Sequence, residues 1–376
     1  MSTQLPKNEQ GLRMGYTTGS CATAAAAAAA QMLLGAAEVS VVKLMTPKGI
    51  DLSLDIEDVV IASNRQERND SDQKNMHRKR VRCGVRKDAG DDPDITDGIL
   101  VYAAAEFIHE PGVQIEGGIG VGRVTRPGLD QPVGAAAINH VPREMITREV
   151  SRVMEQANYS GGIRITIEIP EGVALAAKTF NPRIGIEGGI SVLGTSGIVE
   201  PMSEEALKAT IRAELSVRRA EGYRDVILVP GNYGLDFLRE KAAVDAVDRA
   251  VKCSNFIGDA IDMSASLGFT QVLLVGHIGK LIKLSGGIFN THSRQADARI
   301  DLLVSAGVRA GVSGDILRLL FDAVTTEDAL RILDEYQVLQ PVMDVVKDRV
   351  SYYLKQRAGE KLQIQAILFS NIYGEL

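Results

Sequence analysis

The stretch GYTTGSCATAAAAAAA, residues 15–30, places a cluster of hydroxyl side chains directly before seven consecutive alanines. Alanine has the highest helix propensity, so the sequence predicts a helix over residues 21–34, with Gly35 as its C-terminal stop. Side chains this small indicate that another element packs very close to the helix. The stretch therefore predicts a tightly packed helix near the start of the chain.

Two interpretations fit the hydroxyl groups of Thr17, Thr18 and Ser20, which stand where helix N-caps are found. The exposed N–H groups and the positive dipole end of such a helix suit an anion. Alternatively, the hydroxyls cap a tightly packed helix that binds no ligand. The stretch alone does not decide between an anion site and a plain cap.

The composition is that of a globular protein of about two domains, with 376 residues, 45% of them hydrophobic and 24% charged. A net charge of −6 argues against nucleic-acid binding. Cys21, Cys83 and Cys253 form no CxxC pair, as is typical of reduced thiols. No secretory leader is recognisable, and no apolar run reaches the roughly 18 residues of a membrane span. We therefore expect a cytoplasmic protein without a membrane partner.

The first half of the chain has a mixed pattern. Residues 39–45 and 52–62 are typical of strands, a basic loop spans residues 64–87, an amphipathic helix begins at residue 142, and a strand pattern begins at residue 162. These patterns predict an α+β N-terminal domain over residues 1–183.

Two motifs in this domain resemble ligand-binding sequences, one for a metal ion and one for a dinucleotide. In each case the spacing or the residues that follow argue against the site. The run KDAGDDPD, residues 87–94, concentrates carboxylates but lacks the EF-hand spacing, and aspartate-rich turns are common, so we predict no metal site. The run IEGGIGVGRVTRPG, residues 115–128, has the glycine spacing of a dinucleotide loop. Strand and turn residues follow it where that loop requires a helix, which argues against a Rossmann site.

From residue 184 onward, apolar strands alternate with helices, as in parallel sheets that are covered on both faces. Residues 189–192 and 226–229 are two of the predicted strands. The predicted fold is therefore α/β overall, with the α+β domain followed by a βα-repeat domain over residues 184–376 that has a mainly parallel sheet.

Ligands bind beyond the carboxyl ends of the strands in such sheets, which draws attention to the turns at residues 194–197, 230–234 and 276–280. The last turn, GHIGK, lacks the first glycine and the Ser or Thr of a phosphate loop, which argues against ATP hydrolysis. Polar side chains then accumulate in an otherwise apolar segment, which favours a binding role over separate structural ones. They include His277, Lys280, Lys283, Asn290, Thr291 and His292.

Several long stretches resemble the cobalt-precorrin-5B C1-methyltransferase family of anaerobic cobalamin synthesis. They are LRMGYTTGSCATAAA (12–26), GVGRVTRPGL (120–129), VKCSNFIGDAID (251–262) and LLVGHIGKLIKLSGGIFNTHS (273–293). The resemblance implies transfer of a methyl group from S-adenosylmethionine to ring carbon C1, which gives cobalt-precorrin-6A. It also implies that cobalt arrives inside the substrate, so that no dedicated metal site is needed.

This chemistry assigns roles to the candidate residues. The ring carries many carboxylates, so its pocket needs cations and hydrogen-bond donors. The predicted substrate-binding residues are Thr17, Thr18, Ser20, Arg123, Arg126, Lys280, Lys283, Asn290 and Thr291. The predicted donor-binding residues, in turns at strand ends, are Gly194, Thr195, Ser196, Gly197, Gly231 and Asn232, with Asp259 for a ribose hydroxyl.

Methyl transfer to carbon is an in-line displacement, which needs alignment and exclusion of water more than a strong base. If a side chain moves a proton, His277 and His292 are the candidates, since histidine serves that role near neutral pH. Two alternatives stay open: another tetrapyrrole-modifying enzyme, or a non-catalytic protein that binds corrinoid intermediates. A homo-oligomer is also left open.

Overall fold

The alanine-rich stretch forms helix α1, Thr18–Leu33, in the computed structural model, which describes residues 5–63, 79–241 and 244–376. The Thr17 hydroxyl caps the helix by accepting a hydrogen bond of 3.2 Å from the Ser20 N–H. Every residue of α1 except Gln31 is buried. The helix predicted for residues 21–34 is confirmed, and it begins at Thr18.

The chain divides into two units, Met1–Ser203 (unit 1) and Glu204–Leu376 (unit 2). The boundary thus falls after residue 203, whereas the sequence patterns placed it between residues 183 and 184. The reason is backbone pairing, because three short strands between residues 186 and 199 bind strands from earlier in unit 1. Residues 189–192, predicted to open the βα repeat, therefore lie in unit 1.

A five-stranded sheet dominates unit 1, in the order β4-β5-β6-β10-β7, and its pairs are antiparallel except for β10 and β7. The strands are β1 (Gly15–Tyr16), β2 (Val41–Met45), β3 (Asp51–Asp55), β4 (Glu57–Ser63), β5 (Lys79–Arg86), β6 (Leu100–Ile108), β7 (Gly112–Gly117), β8 (Gly120–Val121), β9 (Arg123–Val124), β10 (Gly162–Glu168), β11 (Ile186–Glu187), β12 (Gly189–Ile190) and β13 (Ile198–Val199). The helices after α1 are α2 (His140–Gln156), α3 (Gly172–Leu175) and α4 (Asn181–Ile184).

Helix α1 packs against β5 and β6 and against α2. Its alanines at residues 24–30 are each fully buried. The backbone of the helix comes so close to β5 that the Cys83 thiol donates to the carbonyl oxygen of Ala25, with 3.3 Å between sulfur and oxygen. Methyl side chains permit this approach, and larger ones would force the elements apart.

Most of the predicted basic loop lies outside the described residues, which resume at residue 79. The end of the loop forms β5, where Arg80 and Arg82 form ion pairs of 2.8 and 2.9 Å with Glu168 on β10. These two cations therefore stabilise one face of the sheet.

Unit 2 is built on a second five-stranded sheet, in the order β15-β14-β16-β17-β18. Its strands are β14 (Asp225–Val229), β15 (Ala250–Lys252), β16 (Gln271–His277), β17 (Gln363–Ser370) and β18 (Gly374–Glu375). Its helices are α5 (Glu204–Ala220), α6 (Asn232–Lys241), α7 (Val244–Arg249), α8 (Ile257–Ser266), α9 (Ile278–Leu281), α10 (Arg299–Arg309), α11 (Gly314–Leu319), α12 (Thr326–Glu335) and α13 (Leu339–Ala358). Strands β15, β14, β16 and β17 run parallel, and β18 is antiparallel to β17. The prediction of an α/β protein is confirmed.

The order of the unit 2 strands creates a switch point at the carboxyl edge of the sheet. From β14 the chain moves to β15 on one side, and then returns to β16 on the other side of β14. The connections that leave β14 and β16 therefore diverge, and a crevice opens between them. Across the described ranges of both units, no helix is long and apolar enough to cross a membrane.

The close packing of α1 predicts the effect of enlarging one of its buried side chains. Ala27→Leu adds a larger side chain at a fully buried site, which costs about 1–3 kcal/mol of folding free energy by overpacking. We expect a lower midpoint of urea unfolding, measured by circular dichroism. Gln31→Leu in the same helix is the control, because Gln31 is partly exposed, and its midpoint should change far less. Equal midpoints for Ala27→Leu and wild type would contradict the close packing.

Candidate functional site

A cavity of about 240 Å³ opens at the carboxyl edge of the unit 2 sheet, between the ends of β14 and β16. We call it the edge cavity. Its walls come from the turn after β14, from the end of β16 with α9, and from the start of α12. The lining residues are Pro230, Gly231, Tyr233, Gly234, Gly276, His277, Gly279, Lys280, Arg299, Thr325, Thr326 and Glu327.

The turn after β14 leads directly into α6, which begins at Asn232. The Asn232 side chain accepts a hydrogen bond of 2.8 Å from Lys252 Nζ at the end of β15. A Cβ atom added to Gly231 would meet nothing closer than Lys280 Nζ, at 4.0 Å. Gly231 therefore leaves the cavity open beside the lysine. Of the predicted donor-binding residues, Gly231 lines the cavity and Asn232 follows it in the chain.

His277, at the end of β16, has both ring nitrogens engaged by the protein. Its Nδ1 accepts from the Gly279 N–H at 3.1 Å, which caps α9 and places the ring proton on Nε2. Nε2 then donates to Glu327 Oε1 at 2.9 Å. The ring also contacts Tyr233 and Phe369, with centroid distances of 5.7 and 5.6 Å. In this arrangement both ring nitrogens of His277 bind groups of the protein, and the ring forms part of the cavity wall.

Glu327, in the first turn of α12, joins three elements. Besides the bond from His277, its Oε1 accepts from the Asn371 N–H at 3.1 Å, and its Oε2 accepts from the Ser370 hydroxyl at 2.6 Å. Ser370 ends β17, so this carboxylate ties the ends of β16 and β17 to α12. Its charge is thus compensated by donors from the protein.

Lys280 is the half-buried cation of the cavity. Its Nζ donates to the carbonyl oxygen of Pro230 at 2.8 Å, and no carboxylate of the described residues forms an ion pair with it. Burial lowers the pKa of this ammonium group because the charged form loses hydration. Two of its three N–H donors are left for a ligand.

The other predicted residues of this segment do not line the edge cavity. Lys283 is buried and donates to the carbonyl oxygens of Thr291 and Ala296, at 3.1 and 2.7 Å, so its cation holds the following loop. Asn290 accepts from the His292 N–H at 3.1 Å, within the same loop. His292 accepts from the Arg294 N–H through Nδ1. The structure therefore brings His277 and Lys280 together in the cavity, while these residues build the neighbouring loop.

In unit 1, the hydroxyl groups before the alanines bind a segment of the chain itself. Thr18 Oγ1 donates to the carbonyl oxygen of Leu193 at 3.2 Å and accepts from its N–H at 3.1 Å. Ser20 Oγ donates to the carbonyl oxygen of Gly197 at 2.7 Å. Of the two interpretations of these hydroxyls, the geometry favours the cap.

These contacts also correct the prediction that the turn at residues 194–197 follows a strand of the parallel sheet. The turn lies between β12 and β13 in unit 1, not at the edge of the parallel sheet. Gly194 has a φ of 151°, and a Cβ atom there would lie 2.3 Å from Thr17 Oγ1, so glycine is required for the approach to α1. Thr195 is exposed, and Ser196 Oγ donates to the carbonyl oxygen of Ile198 at 2.9 Å.

The remaining predicted residues also have partners within the protein. Arg123 forms an ion pair of 3.0 Å with Glu116, and the stem of Arg126 covers Gly185. Asp259, on α8, lies 3.4 Å from Lys208 Nζ and does not line the edge cavity.

A larger cavity, of about 580 Å³, lies in unit 1 beside Tyr16, and its charged groups are mostly paired. Arg13 forms two hydrogen bonds with Asp88, which hold the pKa of that carboxyl below its ordinary value. Lys87 is buried and pairs with Asp94 at 2.6 Å. Two aspartates of the run 87–94 are thus engaged by cations. Within the described part of the chain, no three His, Cys, Asp or Glu side chains are arranged to hold a metal ion.

Sequence reasoning missed the start of α12, which forms one wall of the edge cavity. A local signal was present, because Thr325 and Asp328 form a capping box in which each side chain binds the other residue's N–H. That pattern predicts where a helix begins. It does not reveal that the helix begins beside the ends of β14 and β16.

The comparisons with known proteins agree on one family. Residues 5–201 match the family model described as CbiD, and residues 290–376 match the model described as CbiD, C-terminal domain. A protein of Ruminiclostridium cellulolyticum named cobalt-precorrin-5B C(1)-methyltransferase is 42% identical over 376 residues, which cover 100% of this chain and 94% of that protein. A protein of the same name from a Thermoanaerobacter species is 43% identical over 365 residues, 97% of this chain and 94% of that protein.

A crystal structure is also similar in sequence. It is titled cobalamin biosynthesis protein (cbiD), from Archaeoglobus fulgidus, with 27% identity and a TM-score of 0.39 over 77% of this chain and 84% of that one.

The burial of the cysteines leads to a prediction on their reactivity. Burial raises the pKa of the thiols of Cys21, Cys83 and Cys253 to about 12 each, and each side chain is fully buried. Because the thiolate is the reactive form, we expect no reaction of the native protein with dithionitrobenzoate at mildly alkaline pH. All three thiols should react after denaturation. Rapid labelling of any native cysteine would contradict their inert role.

Proposed function

The chain belongs to the CbiD family, and its activity is methylation of carbon C1 of cobalt-precorrin-5B; we propose that S-adenosylmethionine supplies the methyl group and binds at the edge cavity of unit 2. The observation that carries the activity is identity of about 42% along the full chain to proteins named for this reaction. The alternatives of a non-catalytic corrinoid carrier or a different tetrapyrrole enzyme are not favoured, because these relatives carry one activity. The net charge of −6 argues against a nucleic-acid partner, and three free cysteines are typical of a cytoplasmic enzyme.

Topology supports the placement of the donor. The edge cavity lies at the switch point of a parallel sheet, where α/β proteins bind nucleotide-like ligands. The turn after β14 opens a helix there, and Gly231 leaves space beside it. A volume of about 240 Å³ is below the ~300–1,000 Å³ of sites that enclose drug-sized ligands, so the cavity fits one end of the donor.

The chain's own residues position the reactants. S-adenosylmethionine supplies an electrophilic methyl group on a sulfonium sulfur, and its displacement by a ring carbon depends on alignment and exclusion of water. Tyr233 and His277 form an aromatic wall, and the bond to Glu327 holds the imidazole in one orientation. We therefore assign His277 as a positioning residue, and the reaction needs no general base from it.

The activity is tested directly with the purified protein, cobalt-precorrin-5B and S-adenosylmethionine that carries a labelled methyl group. We expect the label in the ring product, at C1 by NMR, with one equivalent of S-adenosylhomocysteine released. Absence of label from a product that forms would exclude S-adenosylmethionine as the donor.

A conservative substitution tests whether His277 acts as a positioning residue or as a general base. In His277→Asn, the amide oxygen can still accept from the Gly279 N–H, while the ring that a general base would use is gone. A positioning role predicts kcat within about tenfold of wild type. Loss of a general base would lower kcat by ~10²–10⁴-fold. Steady-state kinetics distinguishes these results, and a loss in the larger range would restore His277 as a catalytic residue.

The donor site predicts a selective effect of filling the edge cavity. Gly231→Val should fold normally, because its Cβ has open space, but its side chain enters the cavity. S-adenosylhomocysteine at 100 times its Kd should stabilise wild type by about 2.7 kcal/mol and the variant far less. Gly314→Val is the control, since Gly314 also has open space and lies outside the cavity lining. An equal ligand-induced Tm shift in Gly231→Val and wild type would place the donor elsewhere.

A further inference from the structure

One buried polar group of the edge cavity has no hydrogen-bond partner among the residues that the structure describes. Thr326, which lines the cavity, is 4% exposed, and its Oγ1 forms no hydrogen bond with any described residue. Buried hydroxyl groups are normally satisfied, so an orphaned one in a cavity wall indicates a bound partner. Because Thr326 lies in the wall of the edge cavity, a molecule bound in the cavity can supply that partner.

The same residue begins a helix that presents its free N–H groups. Helix α12 has ten residues, and the Thr325 hydroxyl caps it by accepting from the Asp328 N–H. The N–H groups of Thr326 and Glu327 have no partner inside the helix. The positive end of the helix dipole lies at this point, so the start of α12 favours an acceptor with negative charge.

A cation lies in the same cavity. Lys280 Nζ is held by one bond, to the carbonyl oxygen of Pro230, and has no carboxylate partner among the described residues. Gly279, which precedes Lys280 in the chain, lies close to Thr326, since a Cβ atom built on it would lie 3.6 Å from Thr326 Oγ1. The hydroxyl, the helix start and the ammonium group therefore border one small space.

The acidic groups nearby are already saturated. Glu327 accepts from His277, Ser370 and Asn371, and Asp328 accepts twice from Thr325 within the capping box. The Arg299 guanidinium forms two hydrogen bonds with Asp297. The groups that remain available in this cavity are therefore the Thr326 hydroxyl, the free N–H groups at the start of α12 and the Lys280 ammonium group, which together favour an acceptor with negative charge.

We propose that the edge cavity binds a carboxylate group, held between Lys280 Nζ and the start of α12, with Thr326 Oγ1 as a donor. This inference rests on the proposed function, which offers two sources of that group. One is the carboxylate of the methionyl end of S-adenosylmethionine, and the other is a carboxylate side chain of the ring. Both would receive the same charge-assisted hydrogen bonds.

Calorimetric titration of the full chain distinguishes the sources. The first pair of probes is S-adenosylhomocysteine and its decarboxylated analogue, which lacks only the carboxylate. The second pair is cobyrinic acid, a stable cobalt corrinoid with carboxylate side chains, and cobinamide, whose side chains are amides. The variants are Thr326→Val, which keeps the shape without the hydroxyl, and Lys280→Met.

If the donor supplies the carboxylate, both variants should weaken S-adenosylhomocysteine about 10–100-fold and leave the decarboxylated analogue within about threefold, as expected for hydrogen bonds to a charged group. If the ring supplies it, the same selective loss should fall on cobyrinic acid and spare cobinamide. Thr326→Ser, which restores a hydroxyl, should bind like wild type. Thr210→Val, on α5 and outside the cavity lining, is the matched control.

Equal effects of both variants on the two members of each pair would overturn the carboxylate site. The proposed function fails differently: wild-type protein would then bind neither S-adenosylhomocysteine nor its analogue. Selective loss of cobyrinic acid would still support the carboxylate site in that case. Melting curves of each variant show that it is folded, and Lys280→Met, at a half-buried position, keeps the test valid if Thr326→Val is unstable.

Discussion

The close contact between α1 and its neighbours is the constraint on which unit 1 depends. Seven alanines bury all of their surface, and the β5 thiol of Cys83 reaches the helix backbone. Because each methyl group removes little apolar area from water, the stability of this contact depends on dense packing on every side. The first turn adds polar bonds to residues 193–197, which draws a distant part of the chain into unit 1. One helix therefore decides where the unit ends.

In unit 2, the strand order of the sheet, rather than the close packing of one helix, determines where the edge cavity forms. The crevice follows from the strand order, and the side chains around it are mostly held by one another. The bond from His277 to Glu327 joins β16 to α12, and Ser370 extends the contact to β17. These bonds fix the cavity wall, so the groups left for a ligand are few. Thr326 Oγ1 has no hydrogen-bond partner among the described residues, and Lys280 has no carboxylate partner there, whereas the polar atoms of His277 and Glu327 are engaged by the protein.

Local patterns predicted the elements well and their assembly poorly. Alanine propensity located α1, and apolar runs located β14, because both signals are contained in one short stretch. The turn at residues 194–197 was misplaced because β13 has only two residues, and its pairing with β1 is a long-range contact without a local pattern. Thr326 was missed since it lies far from His277 in the chain. Whether a hydroxyl binds a ligand or the chain itself depends on such distant partners.

The buried alanine helix also has a genetic consequence. Single-nucleotide changes in alanine codons yield glycine, serine, threonine, valine, proline, aspartate or glutamate, and none of these matches alanine in both size and polarity. In a helix without free space, glycine weakens the helix, proline breaks it, and the others bring extra volume or an unsatisfied polar atom. Drift in this stretch is therefore confined largely to synonymous third-position changes, and the protein sequence of α1 should diverge more slowly than its DNA.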